Sequence, residues 1–293
     1  SAPWSTLYLN AGRVDNKGVE LSVELNQNLG PVEWTSNLIY SRNKNKVVRL
    51  LDATYQGYAF KSDKLSVGGN SGVQMWLREG HSIGDIFVRG LKTDEHGFIW
   101  VSPTAGTVVP ADVTNGIDDM IYAGNINPAW TGSWRNTFSW KGLSLGVLLT
   151  ARVGGVGVSL TEATLDSYGM SQRTADARDN GGALVNGQRI PAQDYFETIG
   201  GNGSEALGAY YTYSMTNIRL GELTLGYDIP VTKWQNVIKG LNVAFVGKNL
   251  AMLYCKAPFD PEVASGAGNY AMGIDYFNLP STRNLGFSVK ITF

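Results

Sequence analysis

Hydrophobic and polar residues alternate with period two along much of the chain. At its C-terminal end Leu285, Phe287, Val289, Ile291 and Phe293 share one parity, and Gly286, Ser288, Lys290 and Thr292 the other. Successive side chains of extended backbone point to opposite faces, so such a run is a strand with one apolar and one polar face. The pattern recurs at Val19, Leu21, Val23 and Leu25, and at Val32, Trp34, Leu38 and Tyr40. It returns at Trp130, Trp134, Phe138 and Trp140, at Leu143 through Val153, and at Leu241, Val243 and Phe245. Runs of about ten residues with aromatics near their ends exceed the ~5–6 of an ordinary soluble strand and match membrane-crossing strands. Eight strands are expected, at 18–28, 32–43, 77–92, 129–140, 142–153, 209–228, 240–253 and 281–293. The 77–92 segment is weakly patterned. In 209–228 the phase slips near Gly221, which predicts a bulge.

The connections differ in length. Those at 93–128, 154–208 and 254–280 are long and rich in Gly, Asn and Asp, whereas Lys141-Gly142 and 229–239 are short. With Phe293 on the periplasmic side, eight antiparallel strands put the three long loops outside and the two short links inside, as in an outer-membrane barrel. Two connections break this rule: 29–31 would be short yet outside, and 44–76 long yet inside.

Composition narrows the class. There are 24 Lys+Arg against 25 Asp+Glu, so no basic excess points to nucleic acid. One Cys and two His cannot build a Cys- or His-rich zinc site. His81, His96 and Cys255 have no companion ligands in sequence, and no cofactor is expected. Gly154 to Gly157 lacks the Lys of a phosphate loop, and no G-x-S-x-G elbow occurs. The 36 glycines in 293 residues, against a usual ~7%, fit a protein of many turns.

Several blocks resemble SusC/RagA-type TonB-dependent transporters, in that family's order. They are Asn10 to Leu21, Gly124 to Trp130 running into Asn136 to Trp140, Leu220 to Pro230, Val246 to Leu250, Phe259 to Glu262 and Leu279 to Phe293. The resemblance implies an all-β fold: about eight strands of a 22-stranded antiparallel transmembrane barrel, with long extracellular loops. It implies that 1–293 is the C-terminal part of that barrel, with no plug or N-terminal extension in this chain. An eight-strand piece would leave two open edges, which lipid forbids, so the rest of the same transporter would complete it. The implied function is import of large nutrients, glycans or peptides, across a bacterial outer membrane of the Bacteroidetes type. Energy would come through TonB, by a segment absent here, and a SusD-like lipoprotein would form the lid. No catalytic residues are expected.

Site residues follow from the same frame. Tyr168, Tyr195, Phe196, Tyr270, Tyr276 and Phe277 are candidate loop aromatics for lid and ligand, although packing among loops is their simpler role. Glu20, Glu24, Glu33, Arg135, Arg152 and Lys290 should face a wet lumen and the plug. Leu285, Phe287, Val289, Ile291 and Phe293 resemble the C-terminal signal read by barrel-assembly machinery. Asp112, Asn115, Asp118 and Asp119 lie in an acidic turn whose calcium-loop spacing is broken, so an exposed turn is the plainer reading than a metal site. The alternatives are a soluble or surface-attached carbohydrate-binding β protein and a secreted hydrolase. The hydrolase would need paired carboxylates, and Asp118/Asp119 and Asp260/Glu262 carry no supporting signature.

Overall fold

The computed structural model describes residues 12–55, 58–232, 237–263 and 273–293. Among these, seven strands form one antiparallel sheet in sequence order: β1 (Arg13–Leu29), β2 (Val32–Arg49), β3 (Trp130–Trp140), β4 (Leu143–Val153), β5 (Asn217–Ile229), β6 (Gly240–Cys255) and β7 (Asn284–Thr292). Each pairs with its sequence neighbour, and β1 and β7 are edges. The expected bulge is present: β4 and β5 shift register between Leu148 and Leu149, skipping Gly221, so Ile218 and Leu220 rejoin the face of Leu223 and Leu225. The β3–β4 hairpin turns through Lys141 and Gly142, both at positive φ, the geometry that a two-residue type I′ turn demands.

The 77–92 strand of the sequence reading is not part of this wall. Its residues fall in the short strands Val73–Arg78 and Asp85–Val88 of a separate four-stranded sheet, and β2 pairs directly with β3. The weak pattern reflects burial on both faces, since Asp85 through Val88 are all buried. Removing that strand resolves both misfits. The short turns 30–31, 141–142 and 230–239 now lie at one end of the sheet, and the long connections 50–129, 154–216 and 256–283 all lie at the other.

The long connections are not irregular loops. Their described residues fold together into a cap with its own core. The four-stranded sheet (Lys64–Gly69, Val73–Arg78, Asp85–Val88, Ile121–Asn125) comes from the first connection. The second supplies α1 (Leu160–Ser167), α2 (Gln172–Asp179) and α3 (Ala192–Gly200), and the third contributes Ile274–Asp275 to a small sheet with Val156–Ser159. Ser159 and Ser171 cap α1 and α2 by accepting from the amides of Glu162 and Thr174, the usual start signal for a helix. Ile86, Val88, Val158, Ile199, Leu207 and Tyr211 meet in one cluster. The wall has no such layer: Val47 and Ala244 are its only buried hydrophobics among the described residues. A soluble β-sandwich would bury one face of such a sheet against another; the described residues of this sheet bury neither.

Close backbone approach holds the cap together. A Cβ on Gly72 would sit 1.7 Å from the Ala206 carbonyl oxygen, and the Gly72 carbonyl accepts from Arg89 N–H at 2.9 Å. The variant Gly72→Ala should therefore lower stability by at least about 1–3 kcal/mol, read as a lower thermal midpoint with the wall strands' membrane insertion unchanged.

Candidate functional site

Pairing register fixes which side chains share a face. Val23, Leu38, Trp134, Leu149 and Leu220 form one row across neighbouring strands. Leu29, Val32, Trp140, Leu143, Tyr227, Val243 and Val289 lie on the same face. These side chains have no protein over them: Leu21 is 50 % exposed, Leu225 49 % and Phe287 81 %. Monomeric soluble proteins rarely leave so broad an apolar face in water. Tryptophans mark its two ends. Trp130 to Trp140 is ten residue steps, about 25 Å along the membrane normal at ~3.3 Å per step and a ~40° tilt. Tyr40 lies against Trp130 at 5.7 Å at the outer end. Among the polar residues on the apolar face, Ser36 and Asn136 stand directly opposite each other. Each is satisfied by an indole: Trp134 Nε1–H donates to Ser36 Oγ at 2.9 Å and Trp34 Nε1–H to Asn136 Oδ1 at 3.1 Å.

The opposite face is polar. Register puts Glu20, Glu24, Glu33, Arg135, Arg152 and Lys290 all on it. One row crosses the whole sheet as Glu24, Asn37, Arg135, Leu148, Glu222, Lys248 and Asn284. Arg135 reaches over Leu148 to Glu222 at 2.8 Å. In a wet lumen such a pair is mild in energy.

At the outer rim of this face lies a constellation that the sequence reading did not pick out. Arg219 and Asp260 form an ion pair with side chains only 6 % and 9 % exposed. Arg219 Nη1 also donates to Asn249 Oδ1 at 3.2 Å and Ser281 Oγ at 3.0 Å. Asn249 Nδ2 donates to Ser281 Oγ at 2.8 Å. Burial pulls the Asp260 carboxyl up, but Arg219, the Ser281 hydroxyl and the amides of Glu262 and Ser281 outweigh it and hold the group at about 2. These residues come from or adjoin four of the blocks that carry the family resemblance. The signal was present as blocks distant in sequence; the fold shows that they share one ion pair, which pins both ends of the 256–283 connection to β5 and β6. Asp260 is thereby committed as a counter-ion and is not half of a catalytic acid pair with Glu262.

A second buried cluster stiffens the cap. Asp166 is fully buried and binds Arg173, Ser171 Oγ at 2.5 Å and Tyr211 Oη at 3.0 Å. Burial, then the Asp166 charge, push the Tyr211 phenol up.

The candidate loop aromatics separate. Tyr168, Tyr276 and Phe277 are exposed, the last two in edge-to-face contact at 5.3 Å. Phe277 sits at φ +50, a costly conformation for an aromatic residue, held where its N–H donates to Thr161 Oγ1 at 2.6 Å. Phe196 is a correction: it is 7 % exposed inside the cap core, and Tyr195 packs against that core. The pattern of α3 explains this, since Ala192, Phe196 and Ile199 lie one helical turn apart on its buried side. Tyr270 lies outside the described residues. Asp112, Asn115, Asp118 and Asp119 do not converge on one point; of the four only Asn115 and Asp119 are hydrogen-bonded to each other, with Asn115 Nδ2 donating to Asp119 Oδ1 at 3.1 Å. Asp112 pairs with Lys92 at 3.0 Å and Asp118 with Lys64 at 2.5 Å. Asp119 accepts the amides of Thr114 and Asn115 at 2.7 Å each. Among the described residues no group of three His, Cys, Asp or Glu side chains could hold a metal ion. His81 lies 3.2 Å from the buried Asp85 in the cap.

A one-layer antiparallel wall, apolar outside and charged inside with a folded cap at one end, is a segment of an outer-membrane β-barrel. No helix among the described residues is long and apolar enough to cross a membrane. Comparison with known proteins narrows this class. No family model matches. The chain is 24% identical to TonB-dependent receptor P3 of Formosa agariphila over 99% of its own length, and 24% identical to TonB-dependent receptor P26 of the same organism over 97%. It spans 30% of the length of each. Among solved structures, the RagAB peptide importer in its closed-closed state superposes with a TM-score of 0.68 at 19% identity, covering 98% of this chain and 30% of that one. The chain thus has the fold of part of a SusC/RagA-type barrel, with the outer-membrane setting of that fold, and its relatives are receptors and transporters rather than enzymes.

Proposed function

We propose that this chain supplies wall strands and the outward cap of an outer-membrane importer of large nutrients, glycans or peptides, driven through TonB. The observation that carries this reading is the sheet: a broad apolar face ringed by aromatics, a charged inner face and two edges, β1 and β7, that have no neighbouring strand among the described residues. Unpaired backbone amides and carbonyls are not tolerated in lipid, so further strands and a plug of the same molecule complete the wall. The TonB-contacting segment lies in that remainder. Tyr168, Tyr276 and Phe277 stand exposed on the cap, where a SusD-like lipoprotein lid would meet them. Glu20, Glu24, Glu33, Arg135, Arg152 and Lys290 would face the plug and the hydrated lumen. The likeness to a peptide importer favours peptides over glycans as cargo. Uptake of an oligopeptide pool by cells carrying the full-length protein tests the reading. Uptake should vanish in cells lacking TonB, and equal uptake without TonB would contradict it.

The apolar side chains Leu285, Phe287, Val289 and Ile291 all face lipid on the edge strand, with Phe293 following. We take them as the assembly signal. Deleting Phe293 from the full protein should reduce the heat-modifiable barrel in outer-membrane fractions, and an unchanged amount would remove that role.

A further inference from the structure

A cavity of ≈ 340 Å³ lies between α1 and the stretches Pro258–Val263 and Asp275–Pro280. Its apolar wall is Leu165, Pro258, Phe259, Val263, Leu279 and Pro280. Its polar groups are mostly committed to the protein: Asp260 to Arg219, Asp275 Oδ2 to Ser159 Oγ at 2.7 Å, and Glu162 to the Tyr213 phenol. The exception is Asn278, whose Nδ2 is buried with no acceptor. Three carboxylates, Glu162, Asp260 and Asp275, line the cavity; Arg219 pairs with Asp260 and Arg173 lies 3.7 Å from Glu162, which leaves Asp275 without a cationic partner among the described residues. Because Asp260 also holds Arg219 on the polar face of the wall, the cavity adjoins the outer mouth of the lumen.

We propose that this cavity is a subsite for an uncharged apolar side chain of an extended peptide, a reading that rests on the import function above. The apolar wall takes the side chain. Asp275, held only by the Ser159 hydroxyl, disfavours an acidic side chain. Asn278, turned about its side-chain torsions, gives its amide hydrogens to the carbonyl oxygen of the bound residue, an acceptor that the described residues do not provide. Phe277, held at positive φ by Thr161, marks where the chain turns so that Asn278 joins the wall.

The test is equilibrium binding to the purified full-length transporter of three probes: N-acetyl-Leu-Leu-amide, N-acetyl-Asp-Asp-amide and maltohexaose. The leucine peptide should bind at least about tenfold more tightly than the other two, the weight of one well-filled apolar pocket. Leu165→Asp and Leu279→Asp, both at exposed positions that tolerate a charge, should each weaken it by about tenfold. Asn278→Ala should weaken all blocked peptides alike, whatever their side chains. Equal affinity for the leucine and aspartate peptides, or leucine-peptide binding untouched by both aspartate variants, overturns the subsite. If that happens while TonB-dependent peptide uptake persists, the subsite falls and the import reading stands. Tight binding of maltohexaose alone, with no TonB-dependent peptide uptake, overturns both.

Discussion

Replacing Arg219 with alanine should release the 256–283 connection from the wall and destabilise it by about 3–5 kcal/mol, because it leaves the Asp260 carboxylate buried without a cation. The readout is cleavage by external protease within 256–283 on cells carrying the full protein. The single variant should be cut rapidly where the parent resists. Asp260→Asn keeps the shape and removes the charge, so it should be intermediate, and the double variant should be milder than the sum of the two because no lone charge remains. The pH dependence has a definite sign. The Asp260 carboxyl is held at about 2 in the folded protein, below its ordinary 3.8. The stabilisation it contributes is therefore complete above about pH 4 and is lost as pH falls toward 2. Protease resistance, measured after brief acid exposure, should persist at pH 5 and decline only below about pH 4. A loss centred near pH 6 would point to a different group.

The second large effect concerns the two faces of the wall. Leu225 and Thr224 are neighbours on β5, with Leu225 paired to Phe245 on the apolar face and Thr224 to Val246 on the polar one. Leu225→Arg puts a charge into hydrocarbon, at a cost of about 2–4 kcal/mol near the membrane midplane. Thr224→Arg puts the same charge into the lumen and should cost less than about 1 kcal/mol. Denaturant unfolding of the full protein in lipid should separate the two variants in that order. Equal costs would mean that this sheet does not stand with one face in lipid.

The wall was legible in the sequence because its physics is local. Each membrane strand must keep every second residue apolar, so the faces of β3, β4, β6 and β7 could be read directly, as could the Gly221 bulge. The cap was not legible. Its strands are at most six residues long, and Asp85 to Val88 is buried on both sides, so they carry too little alternation to read. That is why 77–92 looked like a poor wall strand. It is also why the length rule for the connections broke twice, and why it holds without exception once those residues are placed in the cap. Phe196 failed as a ligand candidate for a related reason: composition marks an aromatic in a long connection, whereas only helical phase shows that it faces Ala192 and Ile199. The Arg219 site needed four distant blocks to meet, which no window along the chain can reveal.

Side-specific labelling tests the orientation of wall and cap most directly. In the full-length protein with Cys255 replaced by serine, single cysteines at Tyr168 in the cap and at Lys141 in the β3–β4 turn should respond differently to a membrane-impermeant maleimide on intact cells. Tyr168→Cys should label at once, and Lys141→Cys only after the outer membrane is permeabilised. Labelling of Lys141→Cys on intact cells would contradict a membrane-spanning wall with its cap outside.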